Sequence, residues 1–98
     1  MLNQIILVGR LKNEIEWIDN ENATFELAIP RNYKNEDGEY DTDIVKIYMT
    51  GNIATNTAEY CKKGDIVGIK GHIESLNGEM KILAEKNTFL SSHKPEEE

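Results

Sequence analysis

The sequence predicts an all-β domain, a five-stranded Greek-key barrel with one helix between its third and fourth strands. Three observations predict it. An apolar run enters a glycine at Leu7-Val8-Gly9-Arg10-Leu11, and a helix-end phrase closes on glycine at Glu59-Tyr60-Cys61-Lys62-Lys63-Gly64. Asn77-Gly78, a two-residue hairpin signal, then joins two further strand-like runs. The order strand, strand, strand, helix, strand, strand, without repeats or a parallel crossover signal, fits a closed barrel; a split α+β sheet is the alternative.

The first strand, Asn3 to Leu11, carries Ile5, Ile6, Leu7 and Val8 in an almost unbroken apolar run, the pattern of a strand covered on both faces. In so small a domain, cover on both faces points to a subunit contact. Glu14 to Ile18 continues this strand, and Asp19-Asn20-Glu21-Asn22 forms a turn. In the second strand, Ala23 to Ile29, Phe25, Leu27 and Ile29 alternate with Thr24, Glu26 and Ala28, as expected when one face is buried. Pro30 has no N–H to donate and should stop the ladder, leaving Asn32 to Thr42, with Asp37-Gly38 at the tip, as a long loop or mobile hairpin.

Asp43 to Thr50 reads as the third strand, with Val45, Ile47 and Met49 turned to the core and Ile44, Lys46, Tyr48 and Thr50 on the other face. The helix is placed at Asn52 to Lys63, where Ile53, Thr57 and Cys61 recur beside Ala54 and Ala58. Lys62-Lys63 suits the negative end of its dipole, and Gly64 supplies a left-handed cap. Asp65 to Glu74 and Glu79 to Phe89 complete the strands. The domain is therefore assigned to residues 1–90, with a short acidic, disordered tail over 91–98.

A chain of 98 residues, 39% hydrophobic, supports one domain. It has no apolar stretch near the roughly 18 residues of a membrane span and no signal-peptide pattern, so a cytoplasmic location is expected. Cys61 is the single cysteine, consistent with a reducing compartment and a packing role. The net charge of −7 argues against a polyanionic partner, because nucleic-acid affinity rests on Lys and Arg displacing counterions. The acids, however, gather in Glu14 to Glu21, Glu36 to Asp43 and Glu96 to Glu98, leaving strand faces to the basic residues.

Catalytic patterns are missing. Placing Gly38 at the sixth position of a calcium loop puts Tyr33 first and Ile44 last, where carboxylates are needed. His72 and His93 make no paired metal spacing, and neither a phosphate-binding glycine loop nor a nucleophile elbow occurs. No enzyme activity, cofactor or metal is expected.

Met1-Leu2-Asn3, Ile6-Leu7-Val8-Gly9-Arg10-Leu11, Ala23-Thr24-Phe25, Leu27-Ala28 with Arg31 and Tyr33, Ala58-Glu59-Tyr60, Lys62-Lys63-Gly64 and Val67-Gly68-Ile69-Lys70-Gly71 follow one another in a specific order. In this series the chain resembles the bacterial single-stranded DNA-binding protein family. The resemblance implies an OB-fold that binds single-stranded DNA without strong sequence preference, as a homotetramer assembled from dimers through first strands. It implies protection of exposed strands in DNA replication, recombination or repair.

Such binding needs cations for phosphates and flat rings for bases. The resemblance and the strand alternation together select Arg31, Tyr33, Lys34, Lys46, Tyr48, Lys70 and Lys81 as the DNA-binding set. Tyr33 matches a stacking aromatic of the family and Lys46 a basic backbone contact. Ile44 and Thr50 stand where the family carries aromatics, and stacking in such OB-folds is known to be worth about 1–3 kcal/mol per base. Tyr48 is the candidate substitute. Trp17, among Glu14, Glu16 and Asp19, is assigned to packing or subunit contact, and Tyr40 and Tyr60 to packing.

Asn77-Gly78 replaces a long basic hairpin of the family, and Glu96-Glu97-Glu98 has acids without the apolar tip that recruits partner enzymes, as in a short, tail-less variant. The rival reading is a dimeric OB-fold adaptor of the primosomal replication protein N type with weak DNA affinity.

Overall fold

A computed structural model describes residues 1–91; the tail expected at 91–98 otherwise lies outside the described residues. The elements are β1 (Ile5–Leu11), β2 (Glu16–Trp17), β3 (Asn22–Lys34), β4 (Tyr40–Thr50), α1 (Gly51–Tyr60), β5 (Ile66–Leu76) and β6 (Glu79–Ser91). They form a six-stranded sheet in the order β1-β5-β6-β4-β3-β2, and a further β1–β3 pairing closes it into a ring. β2 lies outside the ring on β3, so the ring has the five strands expected, with the helix between the third and fourth of them. This is the OB arrangement. One pairing in it, β4 with β6 through Ile47↔Ile82 and Tyr48↔Leu83, is parallel. No local signal announces it, because it joins strands separated by α1 and β5.

The core follows the alternation read from the sequence. Phe25 and Leu27 of β3, Ile47 and Met49 of β4, Val67 and Ile69 of β5 and Leu11 of β1 are buried together, and Ala54 and Thr57 of α1, with Cys61 just after it, fall into the same region. Gly9 lets β1 cross β3 closely, since a Cβ there would lie 2.7 Å from the Ala28 carbonyl oxygen and 2.9 Å from the Leu27 and Ile29 side chains. Burial pushes the Cys61 thiol up to about 11, helped by the nearby Asp65 charge, so it packs as a neutral group.

Three points bear on these expectations. First, β1 is covered by its own chain on one face, which leaves the other for the subunit contact expected of it: Leu7 packs on the core and Leu11 is buried, whereas Ile6 is 67% and Val8 52% exposed. An unbroken apolar run shows that both faces favour burial, and here the chain covers only one.

Second, Pro30 does not end its strand. It stands opposite Thr42, the register shifts between Pro30 and Lys34, and the ladder resumes at Lys34↔Tyr40. A bulge accommodates the missing N–H. The expected loop is thus a hairpin arm with a tight tip, where Asn35 Oδ1 accepts from the Asp37 and Glu39 N–H groups at 2.8 and 3.0 Å, and Gly38 has φ +80°.

Third, the helix ends at Tyr60, with Cys61 in extended geometry and no basic residue in the last turn. Asp65 explains the early stop: its carboxylate accepts from the Lys62 N–H at 2.9 Å, drawing Lys62 to Asp65 into a separate turn. Gly64, at φ +96°, belongs to that turn and donates its N–H to the Leu11 carbonyl at 2.9 Å. No helix among the described residues is long and apolar enough to cross a membrane.

Candidate nucleic-acid interface

β4 runs from the arm into the barrel wall, so alternation gives it two functional sides. Asp41 and Asp43 precede the inward-facing Val45, Ile47 and Met49, while Tyr40, Thr42, Ile44, Lys46 and Tyr48 share the outer side. The parallel pair with β6 brings Lys81 beside this outer side. Lys81 Nζ lies 4.6 Å from the Tyr48 ring centroid and donates to its hydroxyl at 3.2 Å, and Lys46 Nζ lies 5.7 Å from the same ring. A ring with two ammonium groups beside it has the chemistry to stack on a planar group and to neutralise nearby anions.

Tyr48 also lines a cavity of about 290 Å³ with Ile18, Asn22, Met49, Thr50, Leu76, Leu83 and Ala84. At its rim, Ile18 and Leu76 are exposed. Lys81 has a second, looser partner in Glu79, at 3.8 Å.

The arm carries the other half of the predicted set. Arg31 lies 6.0 Å from the Tyr33 ring centroid, and Tyr33 is 60% exposed. Arg31 also reaches Asp43 and Asp41, which places the Arg31–Tyr33 pair on the side of the ribbon away from Lys46 and Tyr48. The hydrogen bonds and charge of Asp43 raise the Arg31 pKa further, and Arg31 in turn holds the Asp43 carboxyl below its usual range. Lys34 stands 5.8 Å from the Tyr40 ring on the outer side.

The structure therefore brings Lys46, Tyr48 and Lys81 together and sets Arg31 with Tyr33 apart on the arm. Lys70 joins neither group: it pairs with Ile6 of β1 and Lys86 of β6, on another wall of the barrel. Tyr40, expected to pack, is 55% exposed on the arm. Continuing the alternation of β4 back by two steps would have found it. Tyr60 lies 5.8 Å from Phe89 by ring centroids, yet most of it stays open to solvent. Trp17 pairs with Ala23 at the margin of the sheet and is part-exposed.

The profile of the Single-strand binding protein family matches residues 2–89. A single-stranded DNA-binding protein of Streptococcus mutans is 39% identical over 83 residues, spanning 81% of this chain and 51% of its own length. One from Staphylococcus epidermidis is 41% identical over 78 residues, covering 76% of this chain and 60% of its own. This chain thus spans about half to three fifths of such curated relatives. Single-stranded DNA-binding protein 1 of Clostridium acetobutylicum aligns over 95% of this chain and 97% of its own at 33% identity.

Among solved structures, the Plasmodium falciparum SSB complex with ssDNA superposes with a TM-score of 0.72 at 24% identity, covering 93% of this chain and 96% of that one. The small single-stranded DNA-binding protein of Streptomyces coelicolor gives 0.66 at 18% identity, with coverage of 91% and 94%. At these identities the superpositions establish the fold.

Proposed function

Because the chain belongs to the Single-strand binding protein family, we propose that it binds and protects single-stranded DNA without sequence preference during replication, recombination or repair. The observation that carries this reading is Tyr48 held between Lys46 and Lys81 on the outer wall of β4. The ring offers a face to any base, which makes the contact indifferent to sequence, while the lysines neutralise the adjoining phosphates. Tyr33 and Tyr40 on the arm add further faces. No catalytic step or cofactor belongs to this function, and the cytoplasm is its proposed setting.

Ile6 and Val8 on the outside of β1 support self-association, since two exposed branched side chains on one strand face favour a partner strand. A homotetramer built from β1-paired dimers is the proposed assembly, and a dimer is the simpler alternative. Light scattering of Ile6→Asp beside the wild type tests this: a fall in mass is expected, and an unchanged mass would remove β1 from the interface.

The adaptor reading draws its support from the net charge of −7 and the engaged state of Arg31. A titration of labelled oligo-dT by anisotropy at several salt concentrations separates the two. Binding through the groove gives a log–log slope of about −0.7 per phosphate neutralised. An adaptor shows no saturable binding even at low salt.

A further inference from the structure

The strongest donor group on the arm is already occupied. Arg31 Nε and Nη2 donate to Asp43 Oδ2 and Oδ1 at 3.1 and 2.9 Å, and Nη1 lies 3.8 Å from Asp41 Oδ2. This parallel, two-pronged grip is the geometry in which a guanidinium takes two oxygens of a phosphate. The carboxylate at Asp43 therefore stands in for the ligand that Arg31 would otherwise seek. All three side chains are 40–51% exposed, so the pair is in contact with water and can exchange partners.

Cross-strand register produces the contact. Ile29 faces Asp43 and Pro30 faces Thr42, so the bulge that follows Pro30 leaves Arg31 beside the two aspartates rather than turned toward Lys46. Lys46 and Lys81, by contrast, lean on the Tyr48 ring, and Lys81 meets Glu79 only at the looser distance of 3.8 Å.

On the proposed binding function, we infer that Asp43, assisted by Asp41, is a built-in competitor for phosphate at Arg31, a specificity-setting residue that holds down the arm's electrostatic grip on the strand. If Arg31 stays on Asp43 in the complex, it releases no counterion from the DNA. If it moves to a phosphate, it leaves an unpaired carboxylate beside a polyanion. Either course lowers affinity and flattens the salt dependence. The arm is left to hold the strand by stacking on Tyr33, a contact that yields readily when the strand must be passed on.

The test is oligo-dT binding across a salt series with wild type, Asp43→Asn, Arg31→Gln and the double variant, each checked by thermal melting. Asp43→Asn keeps the side-chain shape and removes the charge. It is expected to tighten binding roughly threefold to fivefold at low salt, the scale of one exposed charge contact, and to steepen the slope by about 0.7. In the Arg31→Gln background the same change should alter affinity little. Unchanged or weaker binding by Asp43→Asn would overturn the inference, as would a gain that persists in full without Arg31, which would mark simple repulsion of DNA by Asp43. Failure of every protein to bind at low salt would overturn the binding function itself, and this inference with it. Wild-type binding without the Asp43→Asn gain would overturn this inference alone.

Discussion

The barrel wall at Tyr48 and the arm at Tyr33 contain the same ingredients, a tyrosine with cations close to its ring, yet they are set in opposite electrostatic company. On the wall, Lys46 and Lys81 flank a half-buried ring backed by the core residues Ile47 and Met49. On the arm, the ring is open to solvent and its arginine is claimed by aspartates. A count of basic residues therefore overstates the charge available to a ligand. Binding should be anchored at the wall and adjusted at the arm.

The largest effects concern what lies beneath the two regions. Phe25, on β3 opposite Ile47, is 2% exposed, and Phe25→Ala is expected to cost about 3–5 kcal/mol of stability through lost burial and a cavity. Gly38→Ala at the arm tip meets no atom within 4 Å and is penalised only by its positive φ, by about 1 kcal/mol. Urea melts of both variants compare them. Equal losses would mean that the arm is as integral to the fold as the wall.

Stacking comes next. Tyr48→Ala should weaken oligo-dT binding by about 1–3 kcal/mol, and Tyr33→Ala by the lower end of that range, because its ring must be immobilised from solvent. A larger loss at Tyr33, measured by anisotropy under matched salt, would reverse the ranking of the two regions.

The smallest expected effect is a pH dependence of stability. His72 of β5 contacts Glu74 through Nε2 at 2.7 Å and Glu85 of β6 through Nδ1 at 2.5 Å, and these hydrogen bonds, Glu74 first, raise its pKa above the ordinary 6.5. A raised folded-state pKa gives stability that is fully present below 6.5 and lost as pH rises through the folded value. Thermal melts of the wild type should therefore decline as pH rises through that window, while His72→Gln stays flat. Parallel profiles would show that the two carboxylates do not hold a protonated ring.

Much of this was legible in the chain. Period-two alternation located Phe25, Leu27, Ile47 and Met49 in the core and put Lys46 with Tyr48 on one face, because a strand's side chains take sides by geometry alone. Asn77 at φ +54° and Gly78 at φ +84° form the turn that their identities demand. What depended on distant partners was hidden. The parallel β4–β6 pair that brings Lys81 to Tyr48 joins strands far apart in the chain. The Arg31–Asp43 contact depends on how β3 and β4 register past Pro30, and the helix end at Tyr60 on a side chain beyond it, Asp65. Lys70 had the right chemistry, and only the closed ring shows that it faces a different wall.

The most direct test of the central claim is oligo-dT affinity measured over a salt series for the wild type and Tyr48→Ala side by side. Two parallel log–log lines are expected, both falling with salt and separated by a constant offset, because the substitution removes a stacking face and leaves the lysines in place. Coincident lines would show that Tyr48 does not hold a base, and the wall would lose its role as the anchor.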